Sequence, residues 1–297
     1  MLRERNDMDR KWLLLDCNLL CHRAKHSMGD LSHKGSATGV VFGFLKTVQA
    51  LQEFFDTPHV VFCWDSKTSK RKEIFPEYKS HRRDKYKEMS KEELEFEKKF
   101  QSQMKKLRRD YLPTIGYRNV FVKKGYESDD IIASICNHLP KGDEAIIVSS
   151  DHDLYQLISS TVSFYDVRTQ KILTPQGFKK VYGIESTKWG SVKVLAGCTT
   201  DSVPGIKGVG EKTAIRSLQG ELKPESKAYQ AINSPLGISI IVRNRFLIVL
   251  PLPGIGHFEL IRDKISKQGW ERVMNLLGMK SLRDKMPIVG RRKKKNS

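Results

Sequence analysis

Ala145-Ile146-Ile147-Val148-Ser149-Ser150-Asp151 is an apolar run of strand formers that ends on an acid, and the runs Trp12–Asp16 and Val60–Asp65 end the same way. A fourth acidic group, Glu127-Ser128-Asp129-Asp130, opens an apolar helical stretch. With Asp153 and Asp201, eight carboxylates stand where strands or loops end rather than on solvated helix faces. Helical patterns cover 37–55 and 128–139, and further strand candidates lie at 117–123 and, nearer an edge, at 162–167. Strands alternating with helices predict an α/β fold with a mainly parallel central sheet flanked by helices. In such sheets functional groups collect beyond the carboxyl ends of the strands. Asp16, Asp65 and Asp151 all fall at that edge, so residues distant in sequence are expected to meet there.

The 297-residue chain carries 53 Lys+Arg against 34 Asp+Glu, a net charge of +19. Such a balance suits a polyanion, nucleic acid above all. Acids gathered inside so basic a chain repel one another unless divalent cations neutralise them. Hard carboxylate oxygens suit Mg²⁺ or Mn²⁺. Taken singly, each acid reads as a turn or capping residue; taken jointly, they read as the site of a metal-dependent nuclease. His152, between Asp151 and Asp153, reads as a neighbour rather than a general base, because metals can generate hydroxide themselves. No apolar run reaches the roughly 18 residues needed to span a bilayer, and the opening MLRERNDMDRK lacks a signal-peptide core. A membrane partner is therefore not expected. Five cysteines (Cys17, Cys21, Cys63, Cys136, Cys198) without a CxxC pair argue against a disulfide framework or zinc site and for a reducing interior.

Residues 66–113 break the strand-helix rhythm. Their second half has helical spacing (Leu94, Phe96, Phe100, Met104, Leu107, Tyr111), while 66–89 mixes Lys and Arg with Phe75, Tyr78 and Tyr86. Cations bind phosphates and aromatic rings stack on unpaired bases, so this segment is expected to flank the acidic site as a nucleic-acid-binding loop. Residues 174–285 read as mostly helical and 286–297 as a basic flexible tail, for which a nuclear-targeting reading stays open. Gly205, Gly208 and Gly210 allow tight turns and close backbone approach. Lys212 and Thr213 then enter a helix whose first amides can accept a phosphate. The stretch is not a P-loop, since the GxxxxGK[ST] spacing is absent.

The stretches LLLDCN (13–18), FCWDS (62–66), RKEIFPEYKSHR (71–82), GYESDD (125–130), IVSSDHDLYQLI (147–158) and DSVPGIKGVGEKTA (201–214) carry a resemblance. Over about residues 10–255 the chain is similar to 5′ nucleases of the flap endonuclease family, the phage type and the 5′-nuclease domain of bacterial DNA polymerase I. The resemblance implies a PIN-like nuclease core at 10–173, a helical arch at about 66–113, and a helix-two-turns-helix DNA-binding module at about 195–220. It implies a first metal site from Asp16, Asp65, Glu127 and Asp129, with Asp130, Asp151, Asp153 and Asp201 forming or supporting a second. Arg71, Lys79 and Arg82 match the basic arch positions, with Lys79 and Arg82 expected closest to the scissile phosphate and Tyr78 orienting the strand end. Gly205, Lys207, Gly208, Gly210, Lys212 and Thr213 would grip duplex phosphates. In some relatives carbonyls of this segment bind K⁺, and Val203 and Ile206 are the candidates here. The implied activity is Mg²⁺-dependent (or Mn²⁺-dependent) hydrolysis of phosphodiesters near 5′ ends of flapped or nicked DNA, or of RNA primers on DNA. A monomer in the cytoplasm of a bacterial or phage-infected cell is expected.

One departure matters. The family pattern Gly-Asp-x-x-Asp reads Gly197-Cys198-Thr199-Thr200-Asp201 here, so a thiol replaces an aspartate near the second metal. A soft thiol suits Mg²⁺ poorly, and a weakened second ion is expected. The departure supports one alternative, a structure-specific DNA-binding protein with weakened catalysis; a second, a metal-dependent ribonuclease, rests on the related acidic sheet architecture.

Overall fold

The computed structural model describes residues 10–289. The strands of its main sheet are β1 (Lys11–Asp16), β2 (Val60–Trp64), β3 (Val120–Val122), β4 (Glu144–Ser149), β5 (Val162–Asp166) and β6 (Lys171–Leu173). They form one sheet in the order β3-β2-β1-β4-β5-β6, so β1 lies in the middle. The first five run parallel and β6 returns antiparallel to β5. Asp16 stands opposite Cys63, and Leu15 opposite Val148. The carboxyl ends of β1, β2 and β4 therefore coincide, which brings Asp16, Asp65 and Asp151 to one edge, as the sequence predicts.

Side chains on successive strand residues point to opposite faces, and both faces are covered, which is why these strands read as unbroken apolar runs. Leu13, Leu15, Phe62, Trp64 and Val148 face one core, against α1 (Cys17–Met28), α2 (Gly39–Phe55) and later helices. Trp12, Leu14, Val61, Cys63 and Ile147 face the other. Residues 70–106 supply α3 (Lys70–Ile74), α4 (Ser80–Lys87) and α5 (Lys91–Lys106), the last opened by a reciprocal Ser90–Glu93 capping box. Phe100, Met104 and Leu107 are buried as their helical spacing predicts, while Phe96 is exposed. Lys25 of α1 holds Glu97 of α5 at 2.7 Å and fixes the insertion's second half to the body.

Below the second face lie α6 (Ser128–Asn137), α7 (Trp189–Ala196), α8 (Glu211–Leu218) and α9 (Pro235–Ile248). Trp189, Val192, Leu195 and Ala214 join the same core as Trp12 and Leu14. The chain then crosses to the first face, where α10 (Lys267–Leu276) buries Trp270. Two features go beyond or depart from the sequence reading. β5 lies near the edge as expected, but the edge itself is the short antiparallel β6, which the sequence did not mark. Residues 286–289, read as the start of a flexible tail, lie against α2, where Gln52 Nε2 donates to Ile288 O at 3.4 Å. The basic run 291–295 lies outside the described residues.

Candidate active site: a carboxylate cleft beside a basic insertion

Asp16 ends β1 and caps α1, where its Oδ1 accepts the Leu19 N–H (3.2 Å), while Ser149 donates to Oδ2 (3.0 Å). Asp65 follows β2 and accepts the Ser128 N–H at 2.8 Å, which ties it to the first turn of α6. That turn carries Glu127 and Asp129. Asp151 follows β4 and accepts the Asp153 N–H at 2.9 Å. Asp201 enters from the turn after α7. Together with Asp153, these carboxylates line one cleft of about 880 Å³. Lys79, Arg82, Lys85 and Tyr86 of the insertion line it too.

The electrostatics divide the acids into two kinds. Burial and the neighbouring Asp65 push the Asp16 carboxyl up to about 6. Burial and Asp153 push Asp151 up to about 7. Burial and Asp151 also raise Asp129 well above the carboxylate range. Burial alone would raise Glu127 too, but Lys79 and Arg71 outweigh it and hold Glu127 below its ordinary value. Like charges pressed together in this way are the ground state that divalent cations relieve.

Lys79 is 9% exposed and sits in the left-handed region at φ 54°. That conformation is costly for a side chain with a Cβ, and surrounding contacts must hold it. Its N–H donates to Asp201 O at 2.8 Å, and its Nζ reaches Glu127 Oε2 at 2.7 Å and Asp201 Oδ1 at 3.6 Å. Arg82 is more exposed, with its guanidinium 3.9 Å from Asp201. The insertion is thereby latched to the turn after α7, where His81 also meets Ser202 Oγ at 3.0 Å.

Residues 11–183 match the family described as the 5′-3′ exonuclease, N-terminal resolvase-like domain. The chain belongs to the 5′-3′ exonuclease family. A 5′-3′ exonuclease of Bacillus subtilis is 31% identical over 222 residues, 71% of this chain and 70% of that protein. One from Buchnera aphidicola is 30% identical over 207 residues, 68% of each chain. The thermostable DNA polymerase I of Thermus aquaticus is 32% identical over 70% of this chain, which spans only 23% of that polymerase. Among solved structures, the T5 5′-exonuclease with bound divalent metal ions (zinc) superposes at TM-score 0.68 and 23% identity, covering 82% of this chain and 90% of that one. The expected parallel-sheet fold is thus borne out.

In this 5′-3′ exonuclease family member three expected roles need correction. Asp130, expected to form or support the second metal site, can only support it: it is fully buried, and both its oxygens are committed. Oδ1 takes Arg71 Nη2 (2.7 Å) and the Leu252 N–H (2.8 Å); Oδ2 takes Arg71 Nη1 (2.6 Å) and the Glu127 N–H (3.1 Å). Arg71, expected among the basic arch positions, is 2% exposed and spends its remaining Nε on Leu247 O at 2.8 Å. Tyr78, expected to orient the DNA end, is buried and donates between Glu127 Oε2 (2.9 Å) and Asp201 Oδ2 (2.8 Å). All three lie behind the cleft carboxylates and are hydrogen-bonded to them or to their neighbours. Of the insertion's aromatic residues, Tyr86 faces the cleft, while Phe75 is covered by Arg243, 5.0 Å from its ring.

His152 stacks on Tyr155 at 4.6 Å, a packing role in line with its reading as a neighbour. Lys193 of α7 is a cleft residue that the motifs do not mark: its Nζ lies 3.3 Å from Asp153 and 3.0 Å from Glu211. Between α7 and α8, Gly205 packs so closely on Ala196 that an added Cβ would stand 2.2 Å from its carbonyl carbon. Gly208 has φ 80°, and the tip bearing Lys207, Gly208, Gly210 and Lys212 is exposed, with Thr213 half-buried. Val203 pairs with Cys198, and Ile206 O accepts the Val209 N–H at 3.0 Å.

Asp16, Asp65, Asp129 and Asp151 are oxygen donors that fit hard divalent cations, and their mutual repulsion is not fully cancelled by any cation among the described residues. Beside them Cys198 Sγ, a soft donor, joins Asp153 and Asp201 within 4.8 Å.

Proposed function

We propose that this nuclease is Mg²⁺- or Mn²⁺-dependent and hydrolyses phosphodiesters near the 5′ ends of flapped or nicked DNA, leaving a 5′-phosphate and a 3′-hydroxyl. One observation carries the reading: carboxylates from the ends of three parallel strands, the head of α6 and the turn after α7 share a single cleft with the cations of the insertion. Asp16, Asp65, Glu127 and Asp129 would hold the first ion, and Asp151, Asp153 and Asp201 would surround the second. Bound there, such ions supply Lewis-acid stabilisation of charge on the reacting phosphate. Lys79 and Arg82 place positive charge beside the same phosphate. Lys79 is preorganised by Glu127 and Asp201, so little reorganisation is needed as charge builds. The insertion would arch over the strand end, with Tyr86 stacking on an unpaired base. The exposed tip at Lys207–Gly210 and the head of α8, with Lys212 and Thr213, would grip duplex phosphates. The carbonyls of Val203 and Ile206 are the proposed K⁺ ligands in that turn.

Single-turnover cleavage of a labelled 5′-flap DNA under titrated Mg²⁺ tests the reading, with Asp65→Asn as control. Cutting near the junction that disappears in the variant is the expected result; tight binding with no cutting in Mg²⁺ or Mn²⁺ would replace nuclease activity by binding alone. Lys79→Ala is expected to slow that single turnover by about 10²–10³-fold while flap affinity falls only a few-fold. Equal losses in rate and affinity would deny Lys79 a role in the transition state.

A further inference from the structure

Asp153, Cys198 and Asp201 each place one donor atom within 4.8 Å of the others, a grouping of two hard oxygens and one soft sulfur. Cys198 is 4% exposed, and its Sγ lies 3.1 Å from Thr200 Oγ1. Part of the negative charge at this position is already met by the protein. Lys193 stands 3.3 Å from Asp153, while Lys79 and Arg82 stand 3.6 Å and 3.9 Å from Asp201. Mg²⁺ is held by charge and oxygen ligands and dehydrates reluctantly. It must compete here with two held ammonium groups and the more exposed Arg82, while one of three donors is a thiol that it binds poorly. A borderline ion gains a covalent share from sulfur that this compensation does not weaken.

We propose that this position takes a thiophilic divalent cation of the Zn²⁺ class in preference to Mg²⁺, with Cys198 Sγ as its distinguishing ligand. The inference rests on the nuclease reading only for the placing of ions in this cleft. Forming the sulfur-metal bond releases the Cys198 proton to solvent, with no change of oxidation state. Lys193 keeps its proton and has a second partner ready, Glu211 at 3.0 Å, so Asp153 can turn to the ion without leaving a buried ammonium unpaired. Zn²⁺ would then occupy the place that a second Mg²⁺ needs, and the enzyme would be throttled by thiophilic ions rather than activated by them.

Co²⁺ titration of the DNA-free protein tests this, because a thiolate ligand adds an intense charge-transfer absorption in the near ultraviolet. The wild type is expected to show that band saturating at one equivalent, and Cys198→Ser and Cys198→Asp to lack it while Co²⁺ still raises their melting temperatures. Zn²⁺ should raise the Mg²⁺ concentration for half-maximal cleavage by about tenfold or more in the wild type and far less in Cys198→Ser. Cys198→Asp should lower the Mg²⁺ requirement. Co²⁺ that stabilises the wild type without the band, or a band that survives Cys198→Ser, would overturn the assignment of Cys198. A band without any Mg²⁺-dependent cleavage by the same preparation would uphold the ion site and sink the nuclease reading instead.

Discussion

Arg71→Ala is expected to cost about 3–5 kcal/mol of folding stability, the range for removing one partner of a buried ion pair. Arg71 is 2% exposed and Asp130 fully buried, joined through two bonds of 2.6 and 2.7 Å. The pair links α3 at the start of the insertion, the head of α6, the Leu247 carbonyl on α9 and the Leu252 amide. Deleting the guanidinium leaves a carboxylate in the core beside Glu127, with only two backbone amides to satisfy it. Loss of that tie also frees the segment that holds Lys79 in its left-handed conformation, so cleavage should fall even where the variant is folded. Arg71→Lys keeps the charge but not the planar fork and should land between the two. Urea denaturation of the three proteins measures the difference. A loss under about 1 kcal/mol for the alanine variant would mean that the orphaned Asp130 carboxyl is protonated or rehydrated at little cost, and that the pair does not tie these elements together.

The acid-tipped strands are legible in sequence because parallel pairing aligns strand ends, and an acid directly after an apolar run can only sit at that edge. Asp129 and Asp130 show where legibility stops. They are consecutive on α6, about 100° apart around the helix, so one can face the cleft only if the other turns away. Which one does so is decided by Arg71, which arrives from far along the chain. Similarly, the run Arg71-Lys72-Glu73-Ile74-Phe75-Pro76-Glu77-Tyr78-Lys79 has no period that separates its buried guanidinium from its cleft-lining ammonium. Lys193 did leave a signal: it is the only charged residue in the apolar helix Trp189–Ala196, and a cation on such a helix needs a carboxylate partner. Strand β6 left almost none, since three residues pairing antiparallel at an edge carry no measurable alternation.

Asp129→Asn is expected to reduce cleavage by about 10³-fold or more and, at the same time, to raise the melting temperature of the metal-free protein. The two effects share one cause. Burial and mutual repulsion raise Asp129, Asp16 and Asp151 in the folded state, the latter two to about 6 and about 7. The unfolded chain leaves such groups near about 3.9. Between those values the native state binds more protons than the unfolded one, so stability falls as pH rises. In chelator, the wild type should therefore be most stable below about pH 4 with respect to these groups, losing on the order of a few kcal/mol up to about pH 7. An amide at 129 is neutral at every pH and removes repulsion from both Asp16 and Asp151, so the fall should be shallower and the midpoint near pH 7 higher by a few degrees. Added Mg²⁺ should stabilise the wild type more at pH 8 than at pH 5, because only ionised carboxylates attract it, and should stabilise the variant less at both. Thermal melts in chelator and in Mg²⁺ at these pH values read all of this without DNA. A wild-type stability that does not fall with pH, or an Asp129→Asn midpoint below it near pH 7, would mean that the cleft carboxylates do not share a field, and the ion-binding reading would lose its physical basis.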